Sequence, residues 1–281
     1  MKLKNLLKVL FYLLFFTTYL FGGVKIDNGK AYLVEFDKVE NCKIKYGSKT
    51  IYPIPHPINK NKLIAFLPVE YKTKLKKKFY HIYSNDKKVL EGSLKITKGN
   101  YKKEILKVSK KYVKPKKKNN KRIEKEYLEA MKLYSTTTKQ NFLIKKFAMP
   151  INSKITSKYG NARIFNGNLK SYHSGTDFRA KVGTKIKSIN DGKVVLVKNR
   201  YYAGGSIIVD HGFGIYSCYY HLSKFNVKVG DVVQKGDVIA LSGKSGRITG
   251  PHLHLTIKIY GTTVAPLNFI TKYNNLFENI K

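Results

Sequence analysis

The sequence predicts a mainly β protein: a β-sandwich-like module over residues 24–108 and a turn-rich β domain over residues 147–270, joined by one helix. Three observations predict this: short alternating apolar segments in the first half, glycines concentrated in the second, and one stretch of helical periodicity between them. Of 281 residues 42% are apolar and 26% charged, enough to bury a sizeable core and too apolar for a chain disordered throughout. Fifteen of the 21 glycines follow residue 146, with turn pairs such as Asp191-Gly192, Gly230-Asp231 and Gly236-Asp237.

Residues 1–23 read as a targeting segment. Lys2, Lys4 and Lys8 precede an apolar run over residues 9–21, shorter than the roughly 18 to 20 residues of a spanning helix. Gly22-Gly23 offers small residues for cleavage but no clean Ala-x-Ala site, so the segment is a signal peptide or an uncleaved inner-membrane anchor. Either reading places the rest of the chain outside the cytoplasm, in the periplasm or cell envelope.

Over residues 24–108, segments such as AYLVEF (31–36) and those at 42–46, 63–69, 79–83 and 93–96 are punctuated by Asp, Asn, Gly and Pro at strand-like spacing. His56 and His81 stand singly there and read as packing or surface residues. Residues 109–146 combine a lysine-rich linker around Pro115 with Ile123, Tyr127, Met131 and Tyr134, whose spacing puts them on one helical face. That face is expected to pack against one of the two domains, with Asn120 capping the helix. Residues 271–281 are expected to trail as a C-terminal tail.

Lys plus Arg number 55 against 17 Asp plus Glu, a formal net charge of +38. Residues 1–146 hold 36 of the basic and 11 of the acidic side chains. An anionic partner or surface is one meaning; AT-rich coding, which also favours the abundant Tyr, Asn and Ile, is another. Export and the absence of an aromatic-interleaved basic motif exclude nucleic acid. With only Cys42 and Cys218, a disulfide-stapled miniature and a multi-cysteine zinc ribbon are excluded too.

Five of the seven histidines follow Pro150. His173 precedes Asp177 by four residues in SYHSGTDFR (171–179), where Gly175 and the Ser/Thr content argue for a loop entering a strand. His252 and His254 flank Leu253 in TGPHLHLTI (249–257), where strand alternation points both imidazoles to one side of a sheet. Each pattern is weak alone. Together, His173, Asp177 and one of the paired histidines make a nitrogen/oxygen set suited to Zn²⁺, with the fourth tetrahedral position left to a water whose pKa the metal would lower to about 7. No His-Glu-x-x-His helix supplies a carboxylate base, so a spare histidine must act: the second member of the pair, or His221 in CYYHLS (218–223).

At these residues the chain resembles the lysostaphin-type, or LytM-domain, zinc metallopeptidases that cut peptide cross-links in bacterial cell walls. The resemblance covers about residues 147–268, through SKYGNAR (157–163), HSGTDF (173–178), VDHG (209–212), YHLS (220–223), VKVGD (227–231), KGDVIA (235–240) and SGRITGPHLH (245–254). It implies an antiparallel β domain with zinc in a groove between loops. It implies His173, Asp177 and His254 as ligands, and His221 and His252 as catalytic histidines, with His252 the general base and His221 orienting water and stabilising the oxyanion. Arg163 matches a position near the groove and is a candidate for substrate contact; His211 matches a turn residue outside the site.

The implied partners are peptidoglycan stem peptides and cross-links, with the D-Ala to diaminopimelate bond as target and glycine bridges or stem-peptide trimming as alternatives. A non-catalytic LytM-like activator of other wall hydrolases is the competing reading, which filled ligand and catalytic positions disfavour. A lipoyl- or biotinyl-like carrier hairpin at residues 229–239 has no Met-Lys-Met-like attachment site at a turn and leaves the histidines unexplained. The basic surplus then points to a polyanionic wall or outer envelope.

Overall fold

The structure of the chain, a computed structural model, describes residues 23–167 and 169–278. Apart from Gly23, the segment read as signal or anchor lies outside the described residues. No helix among the described residues is long and apolar enough to cross a membrane.

The chain is mainly β. The N-terminal module holds a sheet that runs Val24–Asp27, Lys87–Thr97, Lys77–Ser84, Lys43–Tyr46, Lys49–Ile51 in spatial order, and a second that runs Ala31–Asp37, Lys62–Pro68, Ile54–Pro55. The two enclose a core that includes Ile26, Val34, Ile44, Tyr46, Leu67 and Ile82. Leu63 through Leu67 are all buried because the central strand Lys62–Pro68 is covered on both faces, which is why its sequence is an unbroken apolar run. Ala65 and Leu67 point into that core. Ile64 and Phe66 point the other way, into the core of the second domain, where Phe66 lies 4.9 Å from the ring of Phe269 and 6.2 Å from Tyr273.

The second domain is a ten-stranded sheet, seven of whose strands form the path Ile155–Ser157, Thr176–Arg179, His252–Ile259, Ile215–Phe225, Gly204–Asp210, Gly192–Arg200, Val232–Val233, antiparallel at every step, with Lys185–Lys187, Val238–Ser242 and Thr262–Val264 paired off it. A small fourth sheet, of three strands, crosses between the two domains. Lys103–Leu106 pairs in parallel with Ala162–Phe165, which pairs antiparallel with Leu169–Tyr172. The stretch expected to close the first module thus completes a sheet of the second, because an edge strand left unpaired would expose a row of backbone donors and acceptors.

Helix α1 (Asn120–Ser135) lies on the ten-stranded sheet, rotated from the face its apolar spacing predicts so that only part of that face is inward. Glu126, Ala130 and Tyr134 are buried, whereas Tyr127 is 59% exposed and Met131 is also exposed. Ala130 allows close approach, and the Glu126 carboxylate accepts from Arg122 Nε (2.7 Å) and from the backbone N–H of Tyr201 (2.7 Å). These polar bonds, which apolar periodicity does not register, set the rotation of the helix. Under it, Cys218 is a buried free thiol beside the Tyr134 hydroxyl, and Cys42 is a second free cysteine.

Helix α2 (Pro266–Asn274) begins on Pro266, whose fixed φ suits the first helical turn. It runs past residue 270, and Tyr273 and Leu276 are buried. The segment expected to trail as a tail is therefore packed as far as it is described, with the Tyr273 hydroxyl donating to the Leu143 carbonyl at 2.6 Å.

Candidate active site

Three adjacent strands set the site. In the antiparallel register Asp177 on Thr176–Arg179 lies opposite His254 on His252–Ile259, and His254 lies opposite Tyr220 on Ile215–Phe225. Two-residue alternation puts His252 on the same face as His254. His173 enters from the loop before Thr176–Arg179, fixed by backbone bonds from His173 N to Asn161 O and from Gly160 N to His173 O, both 2.8 Å. Gly175 allows this approach: a Cβ there would lie 2.3 Å from Leu255 O and 2.4 Å from His254 Nε2.

His173 Nε2, Asp177 Oδ1 and His254 Nδ1 converge, at 2.9 Å, 2.8 Å and 3.0 Å from one another. All three residues are buried. Their outer hydrogen bonds assign the protons. His173 Nδ1 lies 2.8 Å from the Lys158 carbonyl, which can only accept, so Nδ1 carries the hydrogen and Nε2 the lone pair. His254 Nε2 faces Thr256 Oγ1 at 2.9 Å, and that hydroxyl donates onward to Ser174 O at 3.1 Å, so His254 Nδ1 also presents a lone pair. Asp177 accepts on its other oxygen, Oδ2, from the Arg163 guanidinium at 2.7 Å. Three acceptors face one point with no hydrogen between them when both rings are neutral. Such a cluster is repulsive without a cation, and two imidazoles with one carboxylate, each oriented by an outer partner, are the donor set of a zinc site.

Two further imidazoles border this cluster. His252 Nδ1 donates to Gly250 O at 2.8 Å, which leaves its Nε2, 3.5 Å from Asp177 Oδ1, as an acceptor. His221 Nδ1 donates to Ser245 O at 2.8 Å, and its ring centroid lies 4.9 Å from that of His252. Burial pushes the His221 pKa down to about 3, helped by repulsion from His252 and His254, so this ring is neutral at physiological pH.

Arg163, the candidate for substrate contact, is tied into the cluster and lines the cavity over it. Its guanidinium donates to Asp177 Oδ2 (2.7 Å), to Ser157 Oγ (3.0 Å) and to Glu104 Oε2 (2.9 Å). Glu104, from the linking strand Lys103–Leu106, also accepts from Ser157 Oγ and Asn161 Nδ2, both 2.7 Å. Sequence reasoning missed Glu104, since nothing local to it signals a site more than fifty residues away. Thr256 was within reach, two residues beyond His254 on the same strand face. His211 is fully buried, with Nδ1 2.6 Å from Asp191 O and Nε2 2.8 Å from Ser217 Oγ, and stands apart from the cluster.

A mainly antiparallel β domain carrying a buried His-Asp-His acceptor cluster with two spare imidazoles offers the groups that metal-assisted peptide hydrolysis uses. Residues 171–266, about a third of the chain, match Peptidase family M23. The chain is 45% identical over 92 residues to peptidoglycan DD-endopeptidase ShyA of Vibrio cholerae, a match covering 33% of this chain and 21% of that protein. It is 45% identical over 84 residues to lysostaphin of Staphylococcus simulans, covering 29% of this chain and 17% of that one. The chain thus spans about a fifth of the length of these relatives. A Pseudomonas aeruginosa crystal structure bearing the peptidase M23 name superposes with TM-score 0.69 at 25% identity, over 91% of this chain and 98% of that one.

Proposed function

We propose that the chain is a zinc-dependent endopeptidase of the D,D type that cuts peptide cross-links of bacterial peptidoglycan in the cell envelope. The observation that carries this reading is the convergence of His173 Nε2, Asp177 Oδ1 and His254 Nδ1 within 3.0 Å beside two unengaged imidazole nitrogens. The names of ShyA and ShyB, both DD-endopeptidases, support the bond, and the lysine surplus of residues 1–146 suits a polyanionic wall.

His173, Asp177 and His254 would hold the zinc. Bound there, zinc supplies Lewis-acid polarisation of the scissile carbonyl and acidifies the attacking water. His252 Nε2, kept as an acceptor by the Gly250 carbonyl on its other nitrogen, takes the proton from that water. The imidazolium so formed then delivers a proton to the leaving amine. His221 Nε2 accepts from the same water and orients it. The oxyanion role expected for His221 would need a hydrogen on Nε2, which the neutral ring bonded through Nδ1 to Ser245 lacks.

Digestion of purified peptidoglycan, with products identified by mass, tests this. Metal removal and His254→Ala should both abolish cleavage, the latter with loss of bound zinc. His221→Ala and His252→Ala should retain zinc and lose about 10²- to 10⁴-fold in turnover. Undiminished cleavage in any of these cases would overturn the assignment, and glycine-bridge products alone would overturn the D,D bond.

A further inference from the structure

The cavity above the His-Asp-His cluster, about 150 Å³, is lined by two arginines that differ in one respect. Arg163 is bound by two carboxylates. Arg247, half-buried across the same cavity, meets no carboxylate and no hydrogen-bond acceptor through its guanidinium among the described residues. It lies instead between two rings, 4.5 Å from the centroid of Phe165 and 4.9 Å from that of Tyr202.

The backbone around it is held firmly. Arg247 N donates to Tyr202 O at 2.8 Å, and Gly205 N donates to Ser245 Oγ at 2.9 Å. Gly246 sits at φ 79° where a Cβ would lie 2.5 Å from Gly204 N. The same loop supplies the Ser245 carbonyl that orients His221, so Arg247 is placed two residues from a group that positions a candidate catalytic ring. Burial and the neighbouring Arg163 charge push the Arg247 pKa below the usual guanidinium range, yet the group stays charged at neutral pH. Desolvating a cation without a counter-ion is costly, whereas a planar fork stacked on aromatic faces is already oriented for a bidentate carboxylate.

We propose that Arg247 is the receptor for a carboxylate of the peptide substrate, so that a free carboxylate within reach of the scissile bond is a specificity determinant. The inference rests on the peptidase reading above. A peptide offers this group from two sources, its chain-end carboxyl and an acidic side chain, and both have the same chemistry toward the guanidinium.

The test uses the zinc-loaded full chain and three versions of one cross-linked wall peptide: unmodified, amidated at the chain end, and amidated at the side chain. For the wild type, kcat/KM should fall on the order of 10- to 100-fold for one amidated version, the loss expected for a charge-assisted hydrogen bond, and the version affected identifies the source. Arg247→Gln should lose a similar factor on the unmodified peptide and become indifferent to amidation. Arg247→Lys, which keeps the charge without the fork, should fall between. Zinc content and thermal melting check that the variants are folded; should Arg247→Gln not fold, the wild-type amidation series still decides. Wild-type rates insensitive to both amidations, or discrimination retained by Arg247→Gln, would overturn this subsite and leave the peptidase reading standing. Wild-type failure to cut any version would remove both.

Discussion

His221 has φ 66°, a left-handed conformation that a non-glycine residue holds only where its surroundings enforce it. Here the His221 N–H donates to Ala203 O at 2.9 Å while its ring is tied to Ser245. The twist breaks strand alternation, so Tyr220 and His221 both line the cavity, with Tyr220 stacked on His254 at 5.5 Å. His211 shows the opposite use of a histidine. Burial lowers its pKa from 6.5 to about 4, so the folded protein keeps it neutral where the unfolded chain binds a proton. Its contribution is intact above pH 6.5 and is lost as pH falls from 6.5 toward 4, by about 3 kcal/mol, levelling off below. Urea unfolding of the wild type and His211→Gln across that window should show a shallower acid decline in the variant. Parallel curves would mean that His211 is not the group responsible.

Among the elements, the strand Lys103–Leu106 reaches furthest from its place in the sequence. It brings Glu104 to Arg163, and Arg163 holds the oxygen of Asp177 that faces away from the histidines. Groups that orient a ligand are typically worth 10- to 100-fold in metal affinity. Glu104→Gln should therefore weaken zinc binding by about that factor in a chelator competition, and a fragment of residues 147–281, which lacks the strand, should show the same deficit. Equal affinity in all three proteins would make the linking strand dispensable to the site. Helix α1 teaches a related lesson: its existence was legible from spacing, but the buried carboxylate of Glu126 chose its inward face.

Over the whole molecule, the two domains share apolar contacts. Phe66 from the first packs on Phe269 and Tyr273 of α2, which also meet Phe147 at 5.1 Å and 4.9 Å. Phe66 is 2% exposed, and truncating such a ring costs about 3–5 kcal/mol. Phe66→Ala should therefore lower stability by about that amount. Wild-type thermal unfolding should proceed in one transition, whether followed by probes on the first domain or the second. Two separate wild-type transitions would show that the domains fold independently.

What the sequence determined by itself is what depends on near neighbours along the chain. The strand alternation that puts His252 and His254 on one face, the loop at Gly175 before Asp177, and the apolar run of Lys62–Pro68 are all local patterns. So are the ordered motifs that carried the resemblance. Tertiary structure decided what depends on groups distant in sequence: Glu104 reaching Arg163, the commitment of Arg163 to Asp177, the guanidinium of Arg247 left unpaired among the described residues, and the packing of Tyr273 and Leu276. Periodicity reports which face of an element is apolar. It carries no record of which polar atoms find partners across the fold, and in this protein those partners determine which arginine is free and which nitrogen of each histidine bears the hydrogen.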